Sequence, residues 1–228
     1  MDWSQTDFKL LGITFSVDID NISKINYEEK LQKIKHSMNI WLTRNLTPYG
    51  RNTVLKSLLL PKLNHLFSAL PRPPDLVIDK FQKECFKFIW RNKPDKVKRD
   101  TIMLCPEHGG FKVPNIRKVI SSQKLKWIQR LQLNESNIKK LLTHRLPCRN
   151  LLWISDKSYI QNTVIPSTSN PFWKEVFEDW SDTIDKYKKH VKTDHELLTQ
   201  SIWNNENIQI GNKTVCYKTW VKQGITFF

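Results

Sequence analysis

The sequence lacks any apolar run near the roughly 18–20 residues that a bilayer-spanning helix needs, which excludes such a helix. Met1 to Leu10 is polar and has no signal-peptide core. Cysteine is sparse. Cys85, Cys105, Cys148 and Cys216 are widely separated and form no CxxC, which argues against a disulfide framework and predicts a reducing compartment. Six glycines are too few for an all-β fold rich in tight turns, or for a glycine-rich phosphate loop. No Asp-Asp dipeptide occurs, so the clustered carboxylates of two-metal catalysis are missing. The signatures GxSxG, HExxH and the P-loop are absent too. These absences predict a soluble intracellular chain, cytoplasmic or nuclear, with no hydrolytic or polymerase centre of its own.

What is present is positive charge. Across 228 residues, 37 Lys+Arg oppose 22 Asp+Glu, a formal net charge of +15. The expected partner is a polyanion, nucleic acid before an anionic membrane surface. At 39% the hydrophobic content is low for a compact globule, but nine Trp and 11 Phe argue for real packing, because disordered basic tails lack aromatics. Residues 80–130 hold 14 Lys/Arg against 4 Asp/Glu, so one stretch carries +10 of the +15.

The pattern predicts a mainly α fold. Residues 1–25 read as β-prone: Phe8 to Val17 is apolar with one glycine and suggests a strand pair. Two short strands need a larger sheet to join, so the chain is expected to begin inside a larger protein. Residues 26–135 read as helical. Asn26, with Glu29 three residues on, suggests a capping box for a helix over 26–45. Leu31, Ile34, Met38, Trp41 and Leu42 form its apolar face. Thr47-Pro48-Tyr49-Gly50 reads as a turn, followed by a helix over 51–70 that Pro61 bends or splits. Leu70 to Pro74 is a rigid break.

Asp75 is the expected cap of a helix reaching Arg91. Ile78, Phe81, Cys85, Phe88 and Ile89 share one face, and Lys80, Lys83, Lys87 and Arg91 the opposite one, roughly 150° away. Surface helices often carry lysine for solubility alone. Here only Glu84 interrupts the basic face, and Lys93, Lys96, Lys98 and Arg99 follow at once, so phosphate contact is the economical reading. Residues 102–105 and 111–113 suggest a hairpin or paired extended segments, and Asn115 the cap of a helix to Leu133. Residues 136–228 form a small mixed region: a weaker helix over 136–145, an irregular stretch over 146–170 and a helix over 171–190. A hairpin turning at Gly211-Asn212 and a short helix near 217–222 complete it.

Three minor constellations carry alternative readings. Asp18 and Asp20 could share a strand face and bind a metal, or sit on a solvated turn. Cys105-x2-His108 and His144-x3-Cys148 have finger-like spacings, with buried cysteines and surface histidines as the alternative. Trp41, Trp127 and Trp173 fit core faces, whereas Trp90 lies off its helix's apolar face and could stack on a base or cover a neighbouring helix.

The motif order then carries a resemblance. Leu10-Leu11-Gly12-Ile13, Trp41, Leu46-Thr47-Pro48-Tyr49-Gly50-Arg51, Val54-Leu55-Lys56 and Leu60-Pro61-Lys62 come in sequence. Phe88-Ile89-Trp90 and Gly109-Gly110-Phe111-Lys112-Val113-Pro114-Asn115 follow them. Together they resemble the C-terminal part of the reverse transcriptase of LINE-type (non-LTR) retrotransposons, over about residues 8–130. In the tail, Trp203-Asn204-Asn205, Ile208-Gln209-Ile210 and Tyr217-Lys218-Thr219-Trp220 are similar to post-thumb sequences of some clades.

The resemblance implies a thumb-like helical bundle that holds template–primer, with residues 8–17 as the end of the palm. The fingers and palm, with the Tyr-x-Asp-Asp loop and the magnesium it would hold, would belong to a preceding segment. The chain is then not an enzyme by itself, has no catalytic residue and needs no cofactor. Gly50, Arg51 and Lys56 match family positions at the thumb. The candidate nucleic-acid-binding set is therefore Arg51, Lys56, Lys80, Lys83, Lys87, Arg91, Lys96, Lys98 and Arg99. Expected partners are RNA, an RNA–DNA hybrid or DNA, and the missing fingers and palm; no membrane is expected. The alternative is an inactive or repurposed remnant acting as a protein-interaction module, with strand 8–17 as a sticky edge.

Overall fold

The computed structural model describes residues 7–133, 160–187 and 209–217, with positions 157, 203, 219, 220 and 223. It is mainly helical, with a two-stranded antiparallel hairpin near the N-terminus. Two compact units divide the chain, Met1–Gln123 and Lys124–Phe228. Among the described residues no helix is long and apolar enough to cross a membrane.

In the first unit, β1 (Asp7–Leu10) pairs with β2 (Ile13–Ser16), Leu10 opposite Ile13. The two-residue turn puts Leu11 at φ 50° and Gly12 at φ 79°. A right-twisted hairpin favours this left-handed pair, and glycine adopts it freely.

The first helix, α1 (Ile19–Leu42), begins seven residues before the expected start. Asn26 is not its cap. It lies within the helix, 5% exposed. Its carboxamide accepts from the Thr14 N–H (2.8 Å) and donates to the Thr14 and Ile22 carbonyls (2.7 and 2.8 Å). One side chain thus does for the outer edge of β2 what a third strand would do, which outweighs its use at a helix end. Glu29 is free of the supposed capping box and pairs with Lys33 one turn on.

Thr47 to Gly50 is a helix start rather than a separate turn. The Thr47 hydroxyl caps α2 (Pro48–Val54) by accepting from the Gly50 N–H at 3.1 Å, and Pro48 occupies the first turn, where its missing N–H costs nothing. A π-helical turn, Leu55–Leu59, leads into α3 (Pro61–Ala69), closed by the Leu60 N–H on the Leu55 carbonyl at 2.9 Å. The wider turn falls just before Pro61, which lacks an N–H and clashes with a regular preceding turn. The expected split at Pro61 is therefore real.

After the break at Leu70–Pro74 comes α4 (Asp75–Ile89), preceded by Pro74 rather than capped by Asp75. Ile78, Phe81, Cys85, Phe88 and Ile89 are all buried, as their spacing predicts, and Phe86 joins them. They pack in one core with Tyr27, Ile34 and Met38 of α1 and Leu63, Leu66 and Phe67 of α3. Leu31, Trp41 and Leu42 pack against its margin. Trp90 is buried in this core too, which removes it as a stacking platform for a base.

The expected hairpin over 102–113 is only half present. Its first arm is a short helix, α5 (Arg99–Met103), followed by a 3-10 turn, Pro106–His108. The returning arm donates from Phe111, Lys112 and Val113 N–H to the carbonyls of Ile102, Leu104 and Ile102 (2.9, 2.8 and 3.2 Å). Gly110 is needed there, since a Cβ would overlap the Leu104 carbonyl. Asn115 caps α6 (Ile116–Leu133) as expected, accepting from the Lys118 N–H at 3.2 Å.

The second unit has its own core of Ile128, Leu131, Ile160, Val164, Val176, Phe177 and Ile184. A π-helical turn (Ile160–Val164) and α7 (Ile165–Ser167) replace the irregular structure expected there. Asn170 caps α8 (Pro171–Tyr187) through the Phe172 and Trp173 N–H groups (3.0 and 3.3 Å). Val176 and Phe177 are buried, with Phe172, Trp173 and Trp180 packed around them. The predicted Gly-Asn turn joins β3 (Gln209–Ile210) to β4 (Lys213–Thr214), with Gly211 at φ 58° and Asn212 at φ 60°. In the expected helix near 217–222, Thr219 and Trp220 are helical. The expected helix over 136–145, residues 146–156 and residues 188–190 lie outside the described residues.

Candidate nucleic-acid interface

The nine predicted cations do not form one surface. Arg51 belongs to the interior. It is 5% exposed, and its guanidinium donates to the Ile89 carbonyl (2.8 Å) and the Leu46 carbonyl (2.6 Å). Two helix C-terminal regions are thereby tied together, and burial, with Arg91 nearby, pushes the Arg51 pKa down. A phosphate role for Arg51 is corrected to a structural one. The pattern could not reveal this, because an arginine just inside a helix start looks solvent-facing until the chain ends it serves are known.

Lys80, Lys83 and Lys87 are exposed on α4, opposite the core face, as the spacing predicts. They are not equivalent. The Lys87 ammonium lies 3.0 Å from Glu84, which Lys35 also approaches at 3.8 Å, so Lys87 is locally neutralised. Lys80 and Lys83 have no acidic partner among the described residues.

Arg91 does not continue the helical face. The helix ends at Trp90, and Arg91 and Asn92 turn it with φ of 53° and 58°. The Asn92 N–H closes the end on the Lys87 carbonyl at 2.8 Å. Arg91 stays exposed and reaches Asn45 at 3.4 Å. From here to Asp100 every residue is exposed, so Lys93, Lys96 and Lys98 stand in solvent without an acidic partner among the described residues. Arg99 is committed elsewhere: it pairs with Asp95 at 2.7 Å and lies 4.9 Å from the Phe86 ring centre. That contact folds the loop back beside the last turns of α4. Of the nine candidates, Lys80, Lys83, Lys96 and Lys98 remain as exposed cations without an acidic partner among the described residues; Lys93 joins them, with Arg91 at their edge.

Lys56 is exposed but lies apart, on the rod of α2 and the π turn. Its ammonium reaches the Phe111 carbonyl at 3.4 Å. Partial desolvation first, and Lys112 second, push its pKa down. Lys112 was absent from the sequence-based set, because nothing in the linear pattern brings two positions 56 residues apart together.

The zinc spacing gains no support. Cys105 is half-buried, His108 is exposed, and His144 and Cys148 lie outside the described residues. No cluster of three or more metal-type ligands occurs among the described residues. Asp18 sits exposed between β2 and α1, so it shares no strand face with Asp20. No family model matches the chain.

Proposed function

We propose that this chain is the thumb and post-thumb part of a non-LTR-type reverse transcriptase and that it holds template–primer nucleic acid without reading its sequence. The observation that carries the reading is the run of exposed cations without acidic partners, from Lys80 and Lys83 on α4 into Lys93, Lys96 and Lys98. Lysine ammonium groups in solvent suit phosphate oxygens, and such contacts set register without specificity. In this reading polymerisation, and the magnesium it uses, belong to a palm elsewhere, and the compartment is the cytoplasm, the nucleus or both.

The test is fluorescence anisotropy of a blunt RNA–DNA hybrid across a salt series. Five neutralised phosphates predict a slope of log affinity on log salt of roughly −4 to −5. No binding at low salt, or a slope near zero, would sink the proposal.

A second reading is favoured by one specific observation. Phe8, Leu10, Leu11 and Val17 are 60%, 56%, 90% and 82% exposed on a hairpin that has no further strand among the described residues. Asn26 serves the outer edge of β2, so the edge of β1 is the one that suits strand pairing with another polypeptide. The chain as a protein-interaction module would then lose partner binding, with unchanged hybrid binding, when Leu10 and Leu11 become lysine.

A further inference from the structure

Tyr49, Lys56 and Lys112 converge on one residue, Phe111. The Tyr49 ring meets the Phe111 ring edge-on at 6.3 Å, yet 62% of Tyr49 remains exposed. The Lys56 ammonium is 3.4 Å from the Phe111 carbonyl. Lys112, the next residue, is exposed and held at φ 55°, its N–H tied to the Leu104 carbonyl at 2.8 Å. The Asn52 side chain donates to the same Phe111 carbonyl at 2.6 Å, so the centre of the cluster is anchored to the core.

Tyr49, Thr53 and Lys56 are all exposed at helical spacing, with the Cα atoms of Tyr49 and Lys56 about 10 Å apart along the rod. Neither Lys56 nor Lys112 has an acidic partner among the described residues. The Lys56 ammonium meets the Phe111 carbonyl and Lys112 is the next residue, so two cations without a carboxylate border one patch and favour an anion there. An exposed aromatic ring beside such a pair adds a flat apolar face. Phosphate and base together are what a nucleotide offers, and only an unpaired nucleotide leaves its base free to stack.

We infer that the Tyr49–Lys56–Lys112 surface binds an unpaired nucleotide of a nucleic-acid strand, its phosphate between the two lysines and its base on the Tyr49 ring. The inference rests on the proposed nucleic-acid function but assigns a separate site, for single-stranded rather than duplex nucleic acid.

The experiment titrates the full chain with a blunt RNA–DNA hybrid, the same hybrid with a four-nucleotide single-stranded overhang, and a short single-stranded RNA. The expected result is about tenfold tighter binding of the overhang hybrid than of the blunt one. Tyr49→Ala and Lys112→Gln should each abolish that gain while changing blunt affinity by less than about twofold. Tyr49→Phe should keep it. Should Tyr49→Ala fail to fold, Tyr49→Leu, which keeps apolar bulk without the flat ring, takes its place.

Equal affinity for blunt and overhang hybrids overturns the inference and leaves the duplex reading intact. A gain that survives Tyr49→Ala but not Lys112→Gln means a phosphate site without base contact, which also overturns it. Single-stranded RNA bound through Tyr49 and Lys112, with the blunt hybrid unbound, supports the inference while removing the duplex reading. No binding of any of the three probes overturns both.

Discussion

Arg51 and Lys96 are both cations in a chain of net charge +15, and they do opposite work. The Arg51 region is interior: its guanidinium closes carbonyls at Leu46 and Ile89 and touches little solvent. The loop after α4 is all surface, with Lys93, Lys96 and Lys98 in water. Net charge counts both alike, but only the second region can neutralise a phosphate. A positive balance therefore predicts a polyanion partner only after its cations have been sorted by what they already touch. Unit two makes the same point with Lys124, fully buried, 3.2 Å from Glu175 and 3.8 Å from the Phe172 ring centre.

The largest test of this contrast reverses the exposed set. Changing Lys80, Lys83, Lys93, Lys96 and Lys98 to Glu should weaken hybrid binding by ~10³-fold at low salt. The same change should shift the denaturation midpoint little, since exposed charges contribute little to stability. A large loss of stability here would break the distinction between the two regions.

Arg51→Ala should do the reverse. It leaves the Leu46 and Ile89 carbonyls without their donor and should cost about 3 kcal/mol by urea denaturation, with the salt slope of binding unchanged. Arg51→Lys should recover only part, because one ammonium lacks the fork that spans both carbonyls.

Lys124→Met extends the contrast to the second unit. It removes the cation facing the largely buried Glu175, with an expected loss of about 2 kcal/mol and no change in hybrid affinity. A gain in stability would show that the apolar stem, not the ion pair, matters at this position.

A finer test separates cations within the interface. Lys87→Gln should weaken binding by less than about twofold, because Glu84 already neutralises Lys87, whereas Lys83→Gln should remove about one unit of salt slope.

The smallest effect concerns His65. Partial desolvation, and then Lys30, hold its pKa below the ordinary histidine value, so the folded state favours the neutral ring. The unfolded chain then binds more protons between the lowered value and about 6.5, and stability rises with pH through that window. Thermal melts should show a slight loss on acidification below about pH 6.5, and His65→Gln should flatten it.

Much of the fold is legible in the linear pattern. The five apolar positions of α4 are buried as spaced, Asn115 caps α6, and the Gly211-Asn212 turn closes its hairpin. These are local properties, set by side-chain periodicity and by single-residue backbone preferences. The site is less legible. Lys80 and Lys83 stand where the helical period puts them, but Arg91 falls beyond the helix end, and Glu84 compensates Lys87.

The sequence alone determines the helical class, the faces of α1, α4 and α8, and the concentration of charge over 80–130, because each depends on neighbours within one or two turns. Tertiary structure decides the rest. It turns Asn26 from a cap into a bridge, draws Arg51 and Trp90 into the core, and brings the Phe111 carbonyl to Lys56. Each of those outcomes is settled by a partner 12 or more residues away or by the packing around it, and a polar or aromatic side chain takes the role in which its buried groups find the best contacts.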